Sequence, residues 1–227
     1  MHVPTLLTLA TVAFATAAFS QCVVDVFPDD FQVRYASNLN KGDSYVNITN
    51  TGSAAEEVIS MIGGVGAGNI CANVYVFDPS EEMVSCCACL VTPNALVSLS
   101  VQGDLISNTL SPSTPTSVVI KLVASSPVAV AGTAGTSGTT CDPTAIEVAE
   151  WGESGEYVVP GMRAWGTTLH ALPDGTYGLT EGRFLYGGLS PAELTHLTSF
   201  CGFIQSNGSG FGICKSCRAG GLGGAKQ

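Results

Sequence analysis

Three cysteines fall within four positions in VSCCACLVTPN (residues 84–94), at Cys86, Cys87 and Cys89, and a Cys-x-x-Cys pair, Cys214 and Cys217, lies near the C-terminus. Thiols at such spacing oxidise into structural bridges, converge as thiolates on a metal ion, or cycle between dithiol and disulfide. On a strand, Cys87 and Cys89 point to one face and Cys86 to the other. Adjacent cysteines do not pair without a strained ring, because a disulfide wants Cα atoms about 4.4 to 6.8 Å apart with suitably aimed Cβ atoms. The three are therefore expected to reach three different partners among Cys71, Cys141, Cys201, Cys214 and Cys217. The metal alternative needs four thiolates in a tetrahedral set, and Cys87, Cys89, Cys214 and Cys217 can supply one. The redox alternative rests on CKSC alone, which follows a glycine turn instead of opening a clear helix. Structural bridging with no cofactor is the leading expectation, and the pairing is left open.

Other chemistry is thinly represented. His170, in WGTTLHAL, is a candidate catalytic base near Trp165, while His196 falls off the apolar stripe of a helix and reads as solvated. No Gly-x-Ser-x-Gly elbow is present, which leaves a serine hydrolase without its nucleophile. Asp29-Asp30, Glu56-Glu57 and Asp78 with Glu81-Glu82 read as solvated turns, since neither calcium-loop nor glycosidase spacing is visible. No histidine follows the late cysteines as a type 1 copper site requires. Asn47-Ile48-Thr49 and Asn207-Gly208-Ser209 fit the glycosylation sequon.

The elements that must carry these residues are mostly strands. From Val23 to Ile120 short apolar runs alternate with turn residues, and Leu96, Ser98 and Ser100 alternate with Val97, Leu99 and Val101 as on a half-buried strand. The spacing predicts a mainly β chain, an antiparallel β-sandwich-like domain with one C-terminal α-helix and disulfide staples. That helix begins at Ser190 as N-cap, with Pro191 at the first turn and Glu193 completing a capping box; Leu194, Leu197, Phe200, Cys201 and Ile204 form its apolar face. The expected organisation is a signal peptide over residues 1–20, a β-sandwich-like core over 21–124, and a Gly/Ser/Thr-rich surface loop over 125–143. Further strands of the same domain follow over 144–189, the capped helix and cysteine segment over 190–217, and a flexible tail over 218–227.

An apolar run from Val3 to Phe19 ending in small residues reads as an export leader, and no later run is long enough to span a bilayer. Nine cysteines in such a chain point to an oxidising compartment, secreted or periplasmic. Cys22, close to the new N-terminus, is the odd one out. With only 8 Lys and Arg against 18 Asp and Glu, the chain lacks the basic footprint that nucleic acid demands.

The strings NICANVYVFDPSEEMVSCCACLVTPNALVSLSV, DLISNTL and CGFIQSNGSGFGICKSCRAGGLGG resemble an uncharacterised family of secreted, cysteine-rich proteins from environmental bacteria, over about Tyr45 to Gly224. The resemblance implies bacterial export and places no catalytic residue on any position. The expectation is thus a secreted, disulfide-stabilised, non-catalytic structural or binding protein with an extracellular or cell-surface partner. The alternatives are an extracytoplasmic metal or thiol redox protein on the CxC and CxxC cysteines, and an enzyme using His170, acting on carbohydrate.

Overall fold

This computed structural model describes residues 29–54, 68–130, 138–147 and 156–215. The expected leader, Cys22, Glu56, Glu57, Cys217 and the 218–227 tail lie outside them. The chain runs through β1 (Phe31–Ala36), β2 (Tyr45–Asn50), β3 (Ile70–Phe77), β4 (Met83–Val91), β5 (Leu96–Ser100), a π-helical turn (Val101–Leu105) and β6 (Val118–Ser125). Next come the short strands β7 (Val128–Val130), β8 (Gly138–Thr140), β9 (Ile146–Glu147) and β10 (Glu156–Tyr157). Then follow β11 (Met162–Ala171), β12 (Tyr177–Arg183), β13 (Leu185–Tyr186) and helix α1 (Pro191–Ser206).

Two large antiparallel sheets result, one ordered β13-β1-β6-β3-β4 and the other β12-β11-β2-β5, while β9 and β10 pair parallel as a small separate sheet. The observed fold is therefore mainly β, a sandwich of antiparallel sheets that among the described residues carries one α-helix, near the C-terminus. The segment expected as a loop over 125–143 also carries structure, because β7 and β8 pair antiparallel within it. Its Gly, Ser and Thr content hides two three-residue strands whose partners are each other.

Alternation decides what each sheet buries. Val46 and Ile48 of β2, Val97 and Leu99 of β5, and Met162 and Ala164 of β11 point inward. They meet Ile70, Ala72, Val74 and Val76 of β3 and Ile120 and Leu122 of β6 in one apolar cluster. The opposite face of the five-stranded sheet is covered too. Phe31, Tyr75, Phe77, Cys86 and Val123 pack there against Leu194, Leu197, Cys201 and Ile204 of α1 and Ile146 of β9. With cover on both faces, β3 and β4 are buried along their whole length, which is why ICANVYVF and MVSCCACLV show almost no polar alternation. The outer face of the four-stranded sheet has no such cover among the described residues.

Helix α1 starts as expected: Ser190 Oγ accepts the Glu193 N–H at 3.1 Å and Pro191 occupies the first turn. It stops at Asn207, followed by Gly208 at φ 70°. The capping box is only half formed. Glu193 does not reach back to Ser190; its Oε1 instead accepts from Lys121 Nζ at 2.6 Å, tying the helix to β6. The apolar stripe is narrower than expected as well: Leu194, Leu197, Cys201 and Ile204 are buried, while Phe200 is 48% exposed. At 100° per residue Phe200 lies about 80° from the stripe's centre, toward His196 and Phe203. Because Ser190 supplies the one side-chain cap at this end, Ser190→Ala should cost about 1 kcal/mol. Urea unfolding should show a lower midpoint at unchanged slope, and an unmoved midpoint would mean that the cap contributes nothing.

Candidate binding face and the disulfide hub

The alternation of β4 sends its cysteines to two layers. Cys86 faces the helix and is bonded to Cys201, with Cα atoms 5.8 Å apart; Cys87 faces the sandwich core and is bonded to Cys214, at 5.4 Å. Cys71 of β3 is bonded to Cys141 at 5.6 Å. Cys89 is disulfide-bonded too. The expectation of three partners for three clustered cysteines thus holds for Cys86 and Cys87, which reach different elements. The segment around Ile213 lies parallel along the free edge of β4. There the Cys86 N–H donates to Gly212 O at 2.9 Å, and the Cys214 N–H returns to Cys86 O at 3.4 Å. Gly212 is required at this approach: its φ is 77°, and an added Cβ would stand 2.6 Å from Ile204 Cγ2.

Of the thiols expected for a metal or redox centre, Cys87 and Cys214 are bonded to each other. Among the described residues no three His, Cys, Asp or Glu side chains converge as a metal set. His170 is half-buried, and its Nε2 lies 2.7 Å from Thr180 Oγ1 rather than facing a carboxylate. His196 is exposed as expected, but it stands against Phe77 and edge-on to Phe200, with ring centroids 6.2 and 4.5 Å away. Asp78 closes a turn by accepting the N–H groups of Ser80 and Glu82. Asp29 and Asp30 depart from expectation: both are buried, and Asp29 pairs with Arg163 at 2.5 Å while accepting the Gly161 N–H. The turn they occupy is folded under β11 because the guanidinium there offsets the charge.

Sequence reasoning missed Glu156. It is 1% exposed, with Oε1 accepting the Asp142 N–H at 2.6 Å and Oε2 accepting from Ser125 Oγ at 3.1 Å. Burial pushes its carboxyl up to about 8, with neighbouring Asp142 adding to the rise and the two hydrogen bonds opposing it. Tyr75 lies in the same layer, buried, donating from its hydroxyl to Pro143 O at 2.7 Å, and burial lifts its phenol well above the usual range. The group pins the residues after Cys141 onto the five-stranded sheet, next to the Cys71–Cys141 bond.

The open face of the four-stranded sheet is the other feature that its residues alone do not announce. Because Val46 and Ile48 point inward, Tyr45, Asn47 and Thr49 point out, and register sets Asn47 between Ser98 of β5 and Trp165 of β11. Ser98 Oγ donates to Asn47 Oδ1 at 2.6 Å, and Asn47 Nδ2 donates across β11 to Glu181 Oε1 at 3.2 Å. A polar strip therefore crosses all four strands. Tyr45, 46% exposed, stands beside Thr167, and Trp165, half-buried, sits at the diagonal position, a spacing of about 7 to 8 Å. A usable signal is present in YVNIT, where an aromatic and an amide occupy the outward positions of an amphipathic strand. An apolar groove of about 420 Å³ runs between α1 and β4 and is lined by Met83, Leu110, Phe200 and Phe203.

Compared with known proteins, the chain matches no family model, no curated protein and no solved structure.

Proposed function

We propose that this chain is an exported, disulfide-stabilised, non-catalytic binding protein whose open four-stranded face takes an extended polar polymer, a glycan chain above all. The observation that carries the reading is the Ser98–Asn47–Glu181 strip flanked by Tyr45 and Trp165 on the uncovered face of the sheet. Sugar rings present an apolar C–H face to an aromatic ring and hydroxyls to amide and carboxylate groups. An open sheet face reads several units of a polymer without enclosing any one of them. Export is supported by the apolar leader, by the resemblance to secreted bacterial proteins, and by seven described cysteines that are all disulfide-bonded. No helix among the described residues is long and apolar enough to cross a membrane.

The test is retention of the mature protein on a panel of insoluble and arrayed polysaccharides. Tyr45→Ala should weaken binding at least tenfold, as loss of an exposed aromatic anchor does, and leave the melting temperature within experimental scatter. Asn47→Ala should do the same more mildly. Absence of any retained glycan, or retention indifferent to Tyr45→Ala, would remove the reading.

A further inference from the structure

We infer that the outer edge of β12 is a self-complementary strand through which two copies of the chain join their four-stranded sheets into one. The inference is independent of the glycan reading and rests on backbone parity. In the β11–β12 ladder the Leu172 N–H donates to Thr176 O and the Phe184 N–H to Ala164 O, so even-numbered residues of β12 turn their polar groups toward β11. Tyr177, Leu179 and Glu181 turn theirs outward. The next outward carbonyl, that of Arg183, accepts from Arg34 Nη1 at 3.0 Å, and beyond Phe184 the chain crosses to pair with β1 as β13. The free edge is therefore short and bounded, and among the described residues no strand lies against it.

The charges on this edge, Glu181 and Arg183, are of opposite sign and lie toward one end. Tyr177–Arg183 contains no proline and no lysine, and its register against β11 runs without a shift. Its outward side chains are apolar at the centre, with Leu179 59% exposed and Tyr177 38%.

An antiparallel copy centred on Leu179 uses every outward group. Leu179 then faces the second copy's Leu179 across the two-fold axis, and Tyr177 faces the second copy's Glu181, each as a hydrogen-bonded pair. Gly178 falls opposite Thr180, where the missing side chain lets the strands approach. The same register sets Arg183 of one copy across from the turn Pro173-Asp174-Gly175 of the other. The Asp174 carboxylate is exposed there, and its hydrogen bonds to the Thr176 hydroxyl and N–H hold its pKa below the usual value. Two such contacts form, related by symmetry, and they give the edge a charge complement that a slipped register lacks. The partner is thus a second copy of this chain.

The experiment is light scattering and sedimentation of the purified mature protein over a wide concentration range, without added glycan. The expected result is a concentration-dependent dimer. Leu179→Lys, which sets like charges across the axis, should leave a monomer with an unchanged melting curve. Arg183→Asp should weaken the dimer at least tenfold, and adding Asp174→Arg should restore it, a rescue that fold damage cannot imitate. A protein that stays monomeric at every concentration overturns the inference, even if the edge captures a strand from another protein. A dimer indifferent to Leu179→Lys overturns it equally. The glycan reading stands or falls separately, on Tyr45→Ala.

Discussion

In a Cys89→Ala background, which removes the third bond of β4, replacing Cys86, Cys87, Cys201 and Cys214 together with alanine should remove about 8 kcal/mol of stability and leave the chain unfolded at physiological temperature, while removing either pair alone should cost about 3 kcal/mol. The reasoning is topological. Alone, the Cys87–Cys214 bond closes a loop of sequence separation 127, and Cys86–Cys201 one of 115. Each such loop constrains the unfolded chain by about 5 kcal/mol. The two bonds start at adjacent residues of β4, however, so once either is present the other closes only a small ring. That ring consists of residues 201 to 214 and the dipeptide Cys86-Cys87, about 15 residues and so about 3 kcal/mol. Breaking one bond therefore removes the small ring, and breaking both removes the large loop as well. The double-pair variant should exceed the sum of the single pairs by about 2 kcal/mol. Urea unfolding of the pair variants should show this directly, with slopes that rise as the unfolded state expands. Costs that simply add, or a four-cysteine variant that folds with a loss near 3 kcal/mol, would contradict the argument.

That hub shows which parts of the molecule are written locally in the sequence. Strand alternation alone separates Cys86 from Cys87 and Cys89, because side-chain direction on a strand is a local property. Which cysteine answers each one depends on where α1 and the Ile213 segment dock, and docking is tertiary. The same boundary runs through the helix. Its cap at Ser190 is written in four consecutive residues, whereas the behaviour of Glu193 depends on Lys121, seventy-two residues away. Phe200 reads as core because it keeps helical spacing with Leu197 and Ile204, yet only a narrow strip of α1 meets β4. Asp29 reads as a surface turn because nothing near it in sequence announces Arg163. Tyr45 and Asn47 are legible as outward residues, but their meeting with Trp165, Ser98 and Glu181 comes only from register. The sandwich itself is readable, since period-two runs with turn residues between them recur along the chain.

Glu156 is the clearest case of a property invisible in sequence, and it carries the second large effect. It is one of four glutamates in EVAEWGESGEY that follow one another closely, and nothing local distinguishes it from its neighbours. Its folded-state carboxyl titrates near 8, raised chiefly by burial, against 4.5 for an ordinary glutamate. Between those two values the folded chain holds a proton that the unfolded chain has released. Stability should therefore be fully present below about pH 4.5, decline as pH rises through the window, and level off above about pH 8. The total decline from this one group is about 5 kcal/mol, at about 1.4 kcal/mol for each pH unit that separates the two values. Glu156→Gln keeps an oxygen to accept the Asp142 N–H and an amide to meet Ser125 Oγ, and it cannot ionise. The variant should match the wild type in acid, lose the slope across the window, and melt several degrees higher than the wild type at pH 8. Melting curves of both proteins through this range read the difference. A wild-type profile flat across the window would mean that the carboxyl escapes its burial by ionising with solvent beside it, and a slope retained by Glu156→Gln would place the proton on another group. The alternative locus for a slope of this sign is narrow: the Tyr75 hydroxyl is pushed further above neutrality and donates to Pro143 O, so its loss of a proton lies beyond the window. The acid side of the profile then tests the layer as a whole, because the protonated Glu156 and the Tyr75 hydroxyl hold the residues after Cys141 to the sheet together.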